Sequence, residues 1–186
     1  MSKSKILIIC IVTAAILLGV FFFIGRYVKA PVPPQPGQLQ TKFDPMNATY
    51  VIDGKSYTLA NGVSQVPIAP DLATKITTRY FGDESAGDLN GDGTQDYGFL
   101  ITQDGGGSGT FFYAVAAIKT NSGYKITNAY FLGDRIAPQS TQIVGQEFVV
   151  NYADRKPGEP MSAPPSVGVS KYFKVTPDFQ LLEITM

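Results

Sequence analysis

From about residue 48 to the end, short apolar and β-branched runs alternate with Gly, Asn, Asp and Pro. "TYVI" and "KSYTL" flank Asp53-Gly54, a dipeptide suited to a two-residue hairpin, because both central positions of a type I′ turn need positive φ. Asn61-Gly62 repeats the signal. "KITTRYF" (75–81) and "YGFLITQ" (97–103) are rich in β-branched and aromatic residues. "TFFYAVAAIK" (110–119) is apolar on both parities. Phe111, Tyr113, Val115 and Ala117 share one face, and Phe112, Ala114, Ala116 and Ile118 share the other. Such a run is a strand buried on both faces or a short helix; its aromatic start and the Gly-rich residues before it favour a central strand.

Further along, "YKITNAYFL" reads as a strand. "TQIV" and "EFVVNYA" are expected to pair across Gly145, and "VGVSKYFKV" and "FQLLEI" to flank Pro177-Asp178. That is about ten strands with no convincing long helix. The fold expected is all-β: a single sandwich or a strongly curved antiparallel sheet.

Ahead of these strands the pattern changes. Residues 6–25, "ILIICIVTAAILLGVFFFIG", carry no charge. At 1.5 Å rise per residue, twenty helical residues span about 30 Å, the thickness of a bilayer core. The run exceeds the 7–15 residues of a signal-peptide core, and Lys29 and Pro31 spoil Ala30 as a cleavage site. An uncleaved anchor is expected. Basic residues flank both ends, so charge alone does not orient it. The short N-terminal tail and long C-terminal part fit a signal anchor with its N-terminus inside. Residues 31–38, "PVPPQPGQ", read as an extended polyproline spacer. The expected organisation is a cytoplasmic tail (1–5), a transmembrane anchor (6–25), a Pro-rich linker (26–47) and an extracytoplasmic β domain (48–186) in a cell-membrane protein.

Charge sharpens this division. Residues 1–30 contain Lys3, Lys5, Arg26 and Lys29 and no acid; the remainder has 11 basic against 15 acidic residues. No basic patch points to nucleic acid. The one cysteine, Cys10, lies in the apolar run, so the β domain has neither disulfide nor thiol nucleophile. There is no histidine, which excludes a Ser-His-Asp triad and a His/Cys zinc site.

The acids concentrate in one place. "GDLNGDGTQD" (87–96) puts Asp88, Asn90, Asp92 and Asp96 within nine residues, with Gly91 and Gly93 between them. This is either a cation loop or a very acidic turn, since Asp, Asn and Gly favour turns in any case. Three mutually repelling carboxylates exceed what a turn needs, so the cation reading is preferred. Ca²⁺ takes six to eight oxygens. Asp88, Asn90 and Asp92 would offer side chains at spacing two, Thr94 its carbonyl, and Asp96 would close the ring directly or through water. Phe99 stands where an EF-hand has its final Glu, and the flanks are strands.

The loop resembles the calcium loops of FG-GAP and VCBS-type β repeats, in which "GDLNGDG" leads into a strand. More broadly, the order of "GDLNGDGTQD", "GGGSGTFFYAV" and "LGDR" across residues 75–185 is similar to a family of bacterial exported or membrane-anchored domains. That resemblance implies an exported location and no particular chemistry.

Other features point to structure. "DGGGSGT" (104–110) lacks the Lys of a P-loop and the final Gly of a nucleophile elbow, and is expected to be a hairpin loop. "ADRKPGEPMSAPPS" (153–166) is a long polar insertion. Asp134-Arg135 and Asp154-Arg155 are expected to form ion pairs. The function expected is a calcium-stabilised binding or structural module, not an enzyme, meeting a protein or glycan partner at the cell surface. The alternative is a small hydrolase that cleaves envelope glycans with two carboxylates.

Overall fold

A computed structural model describes residues 42–185 of the chain. The tail, the apolar run and the linker up to residue 41 lie outside them. Among the described residues no helix is long and apolar enough to cross a membrane.

The fold is all-β. After one 3₁₀ turn, Pro45–Asn47, come twelve strands: β1 (Thr49–Ile52), β2 (Lys55–Thr58), β3 (Val63–Pro67), β4 (Lys75–Gly87), β5 (Asp96–Asp104), β6 (Phe111–Thr120), β7 (Gly123–Ile126), β8 (Tyr130–Asp134), β9 (Ala137–Val144), β10 (Glu147–Asp154), β11 (Val167–Val175) and β12 (Leu181–Ile184). They form three antiparallel sheets. The largest has the order β3-β4-β5-β6-β7, with β8 also on β6; the others are β12-β11-β10-β9 and the β1–β2 hairpin.

The doubly apolar run explains this arrangement. On one face of the central sheet, Leu100, Phe112, Ala114, Ala116 and Ile118 pack with Phe148, Val150, Tyr152 and Phe173 of the four-stranded sheet. On the other, Tyr97, Phe99, Ile101, Tyr113, Val115 and Ala117 pack with Tyr50, Ile52, Tyr57 and Leu59 of the hairpin and the residue after it. Each fully buried large side chain contributes about 1.5–3 kcal/mol. The expected single sandwich is thus a central sheet with a separate cover on each face. Gly98 permits the first packing: a Cβ there would meet the Phe148 ring at 2.5 Å.

The expected turns are present. Asp53 (φ 48°) and Gly54 (φ 75°) join β1 to β2, with Ile52 opposite Lys55. Gly145 (φ 58°) and Gln146 (φ 65°) join β9 to β10. The run expected as one strand at 124–132 is broken into β7 and β8, both on β6. At the break the Thr127 hydroxyl accepts from the Ala116 N–H at 3.0 Å, replacing a ladder bond. Asn128 reaches out of the sheet, accepting from the Leu181 N–H at 2.7 Å and donating to its carbonyl at 3.4 Å. A side-chain amide thereby completes the edge of β12.

Ordered packing begins before residue 48. Asp44 caps the 3₁₀ turn by accepting from the Met46 N–H at 2.9 Å. Phe43 stacks on Tyr97 and Phe99, with ring centroids 6.1 and 5.8 Å apart.

Of the two expected ion pairs, Asp134–Arg135 is present at 3.0 Å. Arg155 instead gives its guanidinium to the carbonyls of Ala163 (2.7 Å) and Arg135 (2.9 Å), and only its backbone N–H to Asp154. One carbonyl lies in the polar insertion and the other between β8 and β9, and a five-donor fork satisfies both at once.

Candidate functional site

The acidic segment closes the β4–β5 hairpin. Gly87 and Asp96 are the last pair of the ladder, so residues 88–95 form the loop. The flanks are strands, as expected. β4 runs further than the seven residues expected because two register shifts, between Tyr80 and Gly82 and between Gly82 and Ser85, let its second half bend and stay paired.

The loop is built largely from its own side chains. Asp88 accepts from the backbone N–H groups of Gly91 (2.7 Å) and Gly93 (2.8 Å). Asn90 accepts from the Asp92 N–H at 3.0 Å and donates to the Asp92 carboxylate at 2.9 Å. Asp92 accepts from the Thr94 N–H (2.7 Å) and hydroxyl (2.5 Å). Such Asx-type bonds turn the backbone without help from elsewhere. Gly91 and Gly93 adopt φ of 79° and 77°, where a Cβ is strained.

Asp96 is placed differently. It begins β5 and is fully buried. One oxygen accepts from the Leu89 N–H at 2.8 Å, and the other from the Lys119 N–H on β6 at 2.7 Å. Leu89, 2% exposed, belongs to the core on that side. Asp96 thus staples the first limb of the loop to the end of β6 in the central sheet.

The electrostatics differ accordingly. Burial pushes the Asp96 carboxyl above the ordinary value, and the charges of Asp92 and Asp88 add to this, against the two N–H bonds. The Thr94 hydroxyl, the Asn90 amide and the Thr94 N–H hold Asp92 below it. Among the described residues, no Lys or Arg forms an ion pair with Asp88, Asp92 or Asp96.

Of the five expected ligands, Asp88, Asn90, Asp92 and Thr94 share the loop, and Asp96 sits at its inner wall. Among the described residues no group of three or more His, Cys, Asp or Glu side chains is gathered around one point. The loop acids are turned onto the loop's own amides. The donor set is nonetheless all oxygen, which suits a hard cation. The Asp88, Asp92 and Asp96 carboxylates each have acceptor capacity beyond these bonds.

Three neighbours of the loop were not among the residues expected from the sequence. The Gln146 amide lies against Gly91, within 3.2 Å of where a Cβ would be. The Tyr124 hydroxyl donates to the Gln95 carbonyl at 3.3 Å. Leu89 anchors the loop in the core. Only the last had a signal, as the single apolar residue among the acids. No family model, curated protein or solved structure matches the chain.

Proposed function

We propose that the chain is a membrane-tethered, calcium-stabilised module outside the cytoplasm, with a binding or structural role toward a protein or glycan of the cell surface. The observation that carries the calcium reading is the fully buried Asp96 carboxylate, unpaired with any base among the described residues, its pKa raised first by burial and further by the repelling charges of Asp92 and Asp88. A divalent cation over the loop would offset that repulsion. Asp88, Asn90 and Asp92 would supply side-chain oxygens and Thr94 its carbonyl, with Asp96 facing them from the strand. The bond from Asn90 to the Asp92 carboxylate would give way to the ion. The tether rests on the uncharged run at 6–25 and the Pro-rich spacer after it.

Thermal unfolding of the full-length protein, in mild detergent, with calcium and with EDTA tests the ion. Free calcium at ten times Kd contributes about 1.4 kcal/mol, a rise of a few degrees. Asp92→Ala should remove the response, and Asp88→Asn should leave part of it. Mg²⁺ should act more weakly, because it prefers rigid octahedral sites. An unchanged midpoint with no calcium heat in calorimetry would reduce the loop to an acidic turn. Protease added to intact cells tests the tether. It should remove the domain and leave a membrane stub; protection until lysis would overturn the external location.

A further inference from the structure

The acidic loop and the first described residues meet at one aromatic cluster. The Phe43 ring lies 5.3 Å from that of Tyr124, whose hydroxyl holds the Gln95 carbonyl in the loop's second limb. The Tyr124 ring also carries the Lys119 ammonium, 4.7 Å from its centroid, and the Lys119 N–H holds Asp96. Tyr97, beside Asp96 in the chain, completes the cluster, 5.7 Å from Tyr124.

The segment bearing Phe43 is held unevenly. Its downstream half is tied down: the Gly62 N–H donates to the Met46 carbonyl (2.7 Å), the Asn61 N–H to Asn47 (3.0 Å), and the buried Tyr50 hydroxyl to Pro45 (2.6 Å). Its upstream half has the Phe43 ring contacts and a Lys42–Glu84 pair at 3.9 Å with Lys42 well exposed. Such exposed pairs hold weakly.

We propose that residues 42–47 form a strap whose docking, through Phe43 and Tyr124, controls the order of the acidic loop. With Phe43 seated, the Tyr124 ring meets Phe43, Tyr97 and the Lys119 ammonium, and its hydroxyl fixes Gln95. Lifting Phe43 frees that ring and slackens the loop between Gln95 and Asp96. Displacement at the strap is thereby transmitted to the loop without rearranging the four-stranded sheet. This coupling does not require that the loop hold an ion.

Hydrogen exchange of the full-length protein in EDTA tests it, with Phe43→Ala, Phe43→Tyr and Tyr124→Phe beside the parent. Phe43→Ala should speed exchange at residues 89–96 by about two- to tenfold, the range expected from losing an aromatic pair, and leave β10 and β11 unchanged. Phe43→Tyr should restore protection. Tyr124→Phe, which keeps the ring and loses the hydroxyl, should give a smaller rise at the same residues. A Phe43→Ala effect confined to 42–52, or spread equally over β10 and β11, would overturn the coupling. So would a Tyr124→Phe loop indistinguishable from the parent.

Discussion

β5 has a loop at each end, and the two are made in opposite ways. The acidic loop, 88–95, is held by its own side chains: Asp88, Asn90 and Asp92 accept from the backbone two to five residues on. The Gly-rich loop after Asp104 is held from outside, where its last residue, Thr110, donates to Asp134 at 2.9 Å and accepts from the Arg135 N–H at 2.7 Å. Gly105 and Gly107 have open space around the position of a Cβ. One turn encodes its shape in side chains that repel one another. The other takes its shape from distant contacts and carries no such cost. That concentration of carboxylates, with no Lys or Arg paired to it among the described residues, is why the acidic loop, of the two, is the candidate site.

The largest break in this contrast should come from Asp96→Asn. Both partners of Asp96 are N–H donors, so an amide NH₂ must face one of them. An unpaired buried donor costs about 1–3 kcal/mol, or roughly 3–10 °C in Tm for a domain this size. A loss below one degree would mean the staple is dispensable. Next come paired glycine substitutions. Gly91→Ala meets both positive φ and the Gln146 amide and should cost about 1–2 kcal/mol. Gly107→Ala should stay within about 0.5 kcal/mol. Equal costs in denaturant unfolding would erase the distinction between the loops.

The smallest effect is in pH, measured without calcium. Asp92 has a lowered pKa in the fold, so its contribution is present above the unfolded value of about 3.9. It is lost as pH falls through the lower folded value. Asp96 has a raised pKa, so its sign is reversed: the cost of its ionisation is absent below the unfolded value and fully present above the folded one. NMR titration of the side-chain carboxyls should therefore show the Asp96 midpoint above the ordinary value and that of Asp92 below it. Coincident midpoints would mean the two carboxylates share one environment.

Much of the fold was readable because its signals are local. Alternation with period two marks a strand wherever it occurs, and Asp53-Gly54 fits a turn that needs positive φ at both positions. The two parities of residues 111–118 announced a strand covered on both faces, and both covers exist. The loop's composition likewise pointed to Asp88, Asn90, Asp92 and Thr94 as a set.

What remained hidden depended on partners far away in the chain. No local pattern says that a hairpin covers one face and a four-stranded sheet the other, because an apolar face specifies burial and not what buries it. Nor does spacing place Asp96. Counted along the loop it is the fifth expected ligand; the Gly87–Asp96 pair starts the ladder there, and its carboxylate accepts from the Leu89 and Lys119 N–H groups. The break at Thr127 follows from hydrogen bonds to Ala116 and Leu181, residues 11 and 53 positions away from Thr127 and Asn128. Local sequence sets which backbone shapes are cheap. Which of them pair, and which side chains are buried as a result, is settled only when the sheets close over one another and every buried N–H needs an acceptor.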